Sequence, residues 1–257
     1  MRLRTSVLLW FGLVLLACQS AYSQNVYRLP QVADGAGIRT TYIFFNSGAI
    51  PAAIEMSLQD DAGLTLPMPI LGLGVAGVYR FTLDPGHTRF FRSRGEGSLL
   101  IGSGTVTSSV PIGVSAIYTL YQGTTILTET GIGVSAALTS FAIAVDAGPT
   151  QNTGLAVQNP SQSVATQLTF TLYDSNGSLA ADPVTRSLPT LGHMAVYVVG
   201  PGGLFPSLST FKGQLVITAT NSVAALTLRQ GVSGAPLTTL PVSPVFLFLI
   251  TAPSGSD

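Results

Sequence analysis

The residues able to do chemistry are few and thinly spread. The chain has two histidines, His87 and His193, each directly after a glycine, and one cysteine, Cys18. A metal site built on the histidine pair needs further ligands, and no acidic cluster stands beside both. A Ser-His-Asp hydrolase would have to use one of the same histidines, and the chain contains no Gly-x-Ser-x-Gly elbow. Gly-His reads more simply as a turn that opens a strand, with the imidazole bonded to nearby backbone. Asp60, Asp61, Asp174 and Asn176 raise a calcium reading, but a calcium loop needs about six oxygen ligands in a short span. Asp-Ser-Asn-Gly reads better as a hairpin turn. Gly72-Leu73-Gly74-Val75-Ala76-Gly77 matches a dinucleotide fingerprint by letter only. Pro67 and Pro69 precede it, and a strand rather than a helix follows. No catalytic residue, metal site or cofactor is expected.

One grouping of charge stands out. Arg80, Arg89, Arg92 and Arg94 lie within 15 positions of one another, with His87 among them. If the two strands that carry them pair, several share one solvent face and can bind an anionic glycan or the carboxylates of a partner protein. The plainer reading is a solvated face that discourages edge-to-edge aggregation.

The elements that must position these residues come from a duplication. Thr40-Thr41-Tyr42-Ile43-Phe44-Phe45-Asn46 recurs as Thr153-Gly154-Leu155-Ala156-Val157-Gln158-Asn159. Each copy is followed by a strictly alternating strand, Ile54–Leu58 or Leu168–Leu172, which runs into Asp60-Asp61-Ala62-Gly63 or Asp174-Ser175-Asn176-Gly177. The offset between copies is 113 at the Asn pair, 114 through the alternating strand, 106 between the two histidines and 111 between Ile112 and Val223. A near-constant offset with loop-sized drifts is what a duplicated domain leaves. Both copies consist of short strands with turn signals every ~8–12 residues. The prediction is therefore all-β, two tandem antiparallel sandwiches over 24–138 and 139–244. Residues 64–77 are expected to form a loop with extended pieces, Pro30 to end the first strand, and Leu204–Leu208 to form one helical turn. An apolar closing strand and tail occupy 245–257, and the link Gly131–Ser140 is too short for much freedom between the domains.

Composition agrees. Charged residues are 9% and hydrophobic ones 46%, the reverse of a disordered chain. Arg2 and Arg4, the apolar run Val7–Ala17 and Ala21-Tyr22-Ser23 form a signal peptide over 1–23, cut before Gln24. A second reading takes Leu15-Leu16-Ala17-Cys18 as a lipoprotein box with Cys18 lipidated. Removing Arg2 and Arg4 from the 11 basic residues leaves 9 against 11 acidic, a net of −2. Nothing in that balance suits a nucleic acid. The mature chain has no run long enough to cross a membrane as a helix.

The strand-final Asn, the alternating strand into Asp-x-x-Gly, Leu83-Asp84-Pro85-Gly86-His87 and the late strand Ser222-Val223-Ala224-Ala225-Leu226 resemble the tandem immunoglobulin-like modules of uncharacterised secreted bacterial proteins. The resemblance covers nearly all of the mature chain and carries no activity with it. It implies a non-enzymatic secreted, periplasmic or cell-surface protein, or a lipid-anchored envelope protein on the Cys18 reading. Such a protein acts in adhesion, assembly or as a spacer, with another envelope protein or a glycan as partner. The alternative is an extracellular carbohydrate- or ligand-binding module, which needs aromatic side chains exposed together, Tyr118 and Tyr121 for example. The sole tryptophan, Trp10, lies in the signal, so the residue best suited to stacking on sugars is missing.

Overall fold

A computed structural model describes residues 24–231 and 236–245. The signal segment with Cys18, and the apolar run from Phe246 onward, lie outside the described residues. Within them the chain is all strand and turn, with no helix.

The first copy holds β1 (Asn25–Asp34), β2 (Ile38–Phe45), β3 (Ala52–Gln59), β4 (Met68–Ile70), β5 (Gly74–Ala76), β6 (Val78–Leu83), β7 (Thr88–Arg92), β8 (Leu100–Ser108), β9 (Gly113–Gln122) and β10 (Thr125–Gly133). The second holds β11 (Ala137–Ala147), β12 (Gln151–Gln158), β13 (Thr166–Asp174), β14 (Val184–Leu188), β15 (His193–Tyr197), β16 (Phe211–Gly231), β17 (Leu237–Leu240) and β18 (Ser243–Pro244).

The first copy packs the sheet β1-β8-β3-β6 against the sheet β10-β9-β2-β7. The second repeats this order. β11, the first half of β16, β13 and β14 form one sheet, and β17, the second half of β16, β12 and β15 form the other. β16 does the work of β8 and β9 together and crosses between sheets near Asn221. The physical reason sits at one position. Pro111 has no N–H and breaks the strand in the first copy, whereas Ser222 keeps the backbone continuous in the second.

The alternation sets which face is buried. Ala52, Ile54, Met56 and Leu58 of β3 point into the first core, and Leu168, Phe170 and Leu172 of β13 point into the second. Apart from Ala52, each of these buried side chains contributes about 1.5–3 kcal/mol relative to exposure. Phe44, Phe81 and Phe91, from β2, β6 and β7, close one end of the first sandwich with ring centroids 4.9–6.0 Å apart.

Two local expectations change, and a third, the loop with extended pieces at 64–77, gains detail. Pro30 does not end β1; it sits where the register shifts between Leu29 and Val32, and pairing with β8 resumes beyond it. Residues 64–77 fold into the ribbon β4–β5 and bury Leu66, Met68 and Ile70 in the first core. Gly72 and Gly74 take φ values of 81° and 86° in that ribbon, which explains their type without any nucleotide. Leu204–Leu208 forms a single β-turn rather than a helical turn: Leu208 N donates to Phe205 O, Phe205 bridges to Val199, and Leu204 and Phe205 are buried. Only Val134, Ser135 and Ala136 separate β10 from β11. At the far end β18 pairs with Phe141 and Ala142, on the outer edge of β11.

Candidate functional site: the junction of the two domains

The duplicated residues are hydrogen-bonding devices. In each copy a buried Asn ties down the loop after its strand. Asn46 Nδ2 donates to the carbonyls of Ile50 and Leu83, and its Oδ1 accepts from Gly48 N. Asn159 repeats this with Val164, Pro189 and Ser161. Thr40 and Thr153, both fully buried, exchange hydrogen bonds with the backbone of Ala33 and Asp146. Asp60 Oδ1 accepts from the N–H groups of Ala62 and Leu64, and Asp174 Oδ1 from those of Asn176 and Ser178. These carboxylates therefore serve their own turns, and among the described residues no three metal-ligating side chains gather in one place.

The arginine grouping does not form a common face. β6 pairs with β3 and β7 with β2, so the two strands belong to opposite sheets. Arg80 points outward from one sheet and holds Glu55 Oε2 at 2.7 Å, an exposed pair worth at most about 1 kcal/mol. Arg92 points outward from the other sheet, beside Phe90, and Arg89 lies opposite Phe44 on the alternate side of β7. Arg94 is anchored by its backbone: its N–H donates to Pro69 O, and its carbonyl accepts from Arg39 Nε.

The histidines also separate. β2 pairs with β7 so that Phe45 faces Thr88, and β12 pairs with β15 so that Gln158 faces His193. His193 is thus the structural counterpart of Thr88, and Gly192 that of His87. Backbone bonding agrees, since Asn46 N donates to His87 O and Asn159 N to Gly192 O. A slip of one residue turns a side chain to the other face. His87 stays in an exposed turn, while His193 is only 2% exposed.

His193 is buried by the other domain, and its partners are side chains rather than nearby backbone. Nδ1 lies 2.7 Å from Asp61 Oδ1, and Nε2 lies 2.9 Å from Gln31 Oε1. Two arrangements satisfy both contacts. An imidazolium donates to both, or a neutral ring donates from Nδ1 while the Gln31 amide turns its NH2 toward Nε2. The surrounding contacts are close. A Cβ on Gly63 would lie 2.1 Å from Thr190 O, so only glycine allows the first domain's turn to seat on the second domain's Thr190–His193 loop. Gln158 Nε2 reaches Thr105 Oγ1 at 3.0 Å. Ser135 Oγ donates to Ala225 O, and Leu237 N to Thr128 Oγ1. Ala156 and Leu226, from the outer face of the second domain, pack into the first domain's core.

The junction is packed at one end and open at the other. Along β15, His193, Ala195 and Tyr197 point toward the first domain. His193 is clamped, while Ala195 and Tyr197 are exposed in a cleft of about 430 Å³ between the domains. Tyr118 faces this region from inside the first sandwich. It is buried and donates to Gln31 O, and burial, with Tyr42 nearby, raises its phenol well above the ordinary value. Tyr121 lies under the Arg39 guanidinium at 4.4 Å. The two tyrosines do not form an exposed aromatic pair. On the second domain's flank, Asp146 binds Arg229 at 2.9 Å, with Lys212 at 3.9 Å. Desolvation pushes the Asp146 carboxyl up, but Arg229, Gln151 and Lys212 together hold it below the usual value.

Sequence reasoning did not reach the junction. Its one available signal was Leu155-Ala156-Val157, an apolar run without alternation, which marks a strand covered on both faces. No family model, curated protein or solved structure matches the chain.

Proposed function

We propose that this is a non-enzymatic secreted or cell-surface protein of bacterial type, in which two immunoglobulin-like sandwiches form one stiff unit for adhesion, assembly or spacing. The observation that carries the reading is the junction: a side-chain clamp between Asp61, His193 and Gln31, with apolar side chains of the second domain seated in the first domain's core. A connector of three residues and a hydrogen-bonded interface hold the two domains at a set angle, which a spacer needs and a flexible tether lacks. The immunoglobulin-like description is supported by β2–β7 and β3–β8, which pair as strands B–E and C–F do in that fold. Three strands depart from it: β1 joins β8 rather than β2, β6 joins β3 rather than β7, and β9 joins β2 rather than β8.

Two measurements test the reading. Small-angle scattering of residues 24–257 should fit one rigid body, and a broad range of interdomain distances would remove the spacer role. Expression with the native signal, followed by intact mass and fractionation, reports location. A soluble species beginning at Gln24 supports free secretion, a lipidated Cys18 in the membrane fraction supports a tether, and retention in the cytoplasm opposes both. A ligand-binding module is the second reading, favoured by the cleft.

A further inference from the structure

The geometry points to the interdomain cleft as a binding site for an uncharged, mainly apolar small molecule. The inference deepens the ligand-binding reading and is independent of the spacer role.

The two copies can be compared position by position. The row Arg92–Thr41–Ile117 in the first copy corresponds to Tyr197–Gly154–Leu228 in the second, and Phe90–Ile43–Ser115 corresponds to Ala195–Ala156–Leu226. At three adjoining positions the second copy therefore has Gly154, Ala156 and Ala195 where the first has Thr41, Ile43 and Phe90. Loss of those side chains hollows the sheet face at the point where the first domain arches over it. The result is a space of about 430 Å³ that packing of the junction has not filled. That size lies within the range of small-molecule sites, about 300–1,000 Å³.

The lining defines the class of ligand. Among the described residues no charged side chain borders the cleft, and most of its wall is aliphatic. A charged ligand would lose its hydration there without an opposite charge to replace it. Polar groups stand at both ends: Gln31 beside the Tyr118 hydroxyl at the inner end, and Tyr197 bonded to Gln230 at the mouth. An occupant with an apolar body and a single hydroxyl or ester group matches this pattern.

The test uses residues 24–257 and the neutral fluorophore N-phenyl-1-naphthylamine. Saturable binding near one probe per chain is expected, with displacement by dodecanol and not by dodecanoate. Ala195→Phe restores the bulk found in the first copy and should weaken binding at least ~10-fold. Gly154→Thr is a second filling variant, and it fits because a Cβ there meets nothing closer than 3.7 Å. It keeps the proposal testable if Ala195→Phe fails to fold. Phe90→Ala, on the exposed face of the first domain, should leave binding unchanged. Absence of saturable binding, or wild-type affinity in both filling variants, overturns the site. Preferential displacement by dodecanoate overturns the uncharged ligand class. Scattering is unaffected by any of these outcomes, so the spacer role stands or falls separately.

Discussion

Removing the imidazole at the junction tests whether the two domains are coupled. In His193→Ala, the Gln31 side-chain amide loses its partner in a nearly dry position, which costs about 1–3 kcal/mol. Asp61 contributes less, because its side chain is 71% exposed and water replaces the lost bond. The space left by the ring adds a cavity term, and the sum is about 2–4 kcal/mol. That is a large share of the about 5–15 kcal/mol typical of a domain. The assay is urea unfolding of residues 24–257, followed by far-UV circular dichroism and tyrosine fluorescence. The wild type should unfold in one transition because each domain helps cover the other. His193→Ala should lower the midpoint and split the curve. Gln31→Leu added to His193→Ala removes the stranded polar group and should recover at least ~1 kcal/mol. A loss under ~0.5 kcal/mol with a single transition kept, or no recovery in the double variant, would refute coupling through this clamp.

Further outcomes follow from the duplication. Gly63→Ala and Gly177→Ala both place a Cβ at positive φ, 79° and 83°, but only Gly63 faces the other domain. Both should lose about 1–2 kcal/mol from the backbone, and Gly63→Ala at least ~1 kcal/mol more, in the same urea titration. Asn46→Ala and Asn159→Ala each remove three hydrogen bonds at equivalent places, and each should lower stability by about 2–3 kcal/mol, read as a drop in thermal midpoint. Asp146 has a carboxyl held below its ordinary value, so its contribution is present above the unfolded value of about 3.9 and is lost as pH falls through the lower folded value. Asp146→Asn should flatten the stability slope below about pH 4, by no more than ~1 kcal/mol because the pair is partly solvated. An unchanged slope would show that the Arg229 pair contributes nothing.

Much of the fold was legible because the relevant forces are local. Alternation in Ile54–Leu58 and Leu168–Leu172 sets which side chains face the core, and it acts over neighbouring residues. Asp-x-x-Gly makes its turn through bonds two and four residues away. A repeated string of such signals shows duplication whatever the tertiary arrangement. The candidate site was less legible. Arg80 and Arg92 look like neighbours in the chain, yet chain proximity does not decide which sheet a strand joins, and they point away from opposite faces.

Composition and periodicity by themselves determined an all-β chain built twice from one plan, with turns at Asp60 and Asp174 and strands on either side. Tertiary structure alone decided that His193 and His87 are not equivalent, because equivalence depends on cross-strand register and one residue of slip reverses a face. It also decided the junction. Asp61 and His193 stand 132 residues apart, and no local preference encodes their meeting. That contact arises only when two finished sandwiches bury the faces their own cores leave uncovered, and the same packing leaves the cleft where the second copy carries Gly154, Ala156 and Ala195.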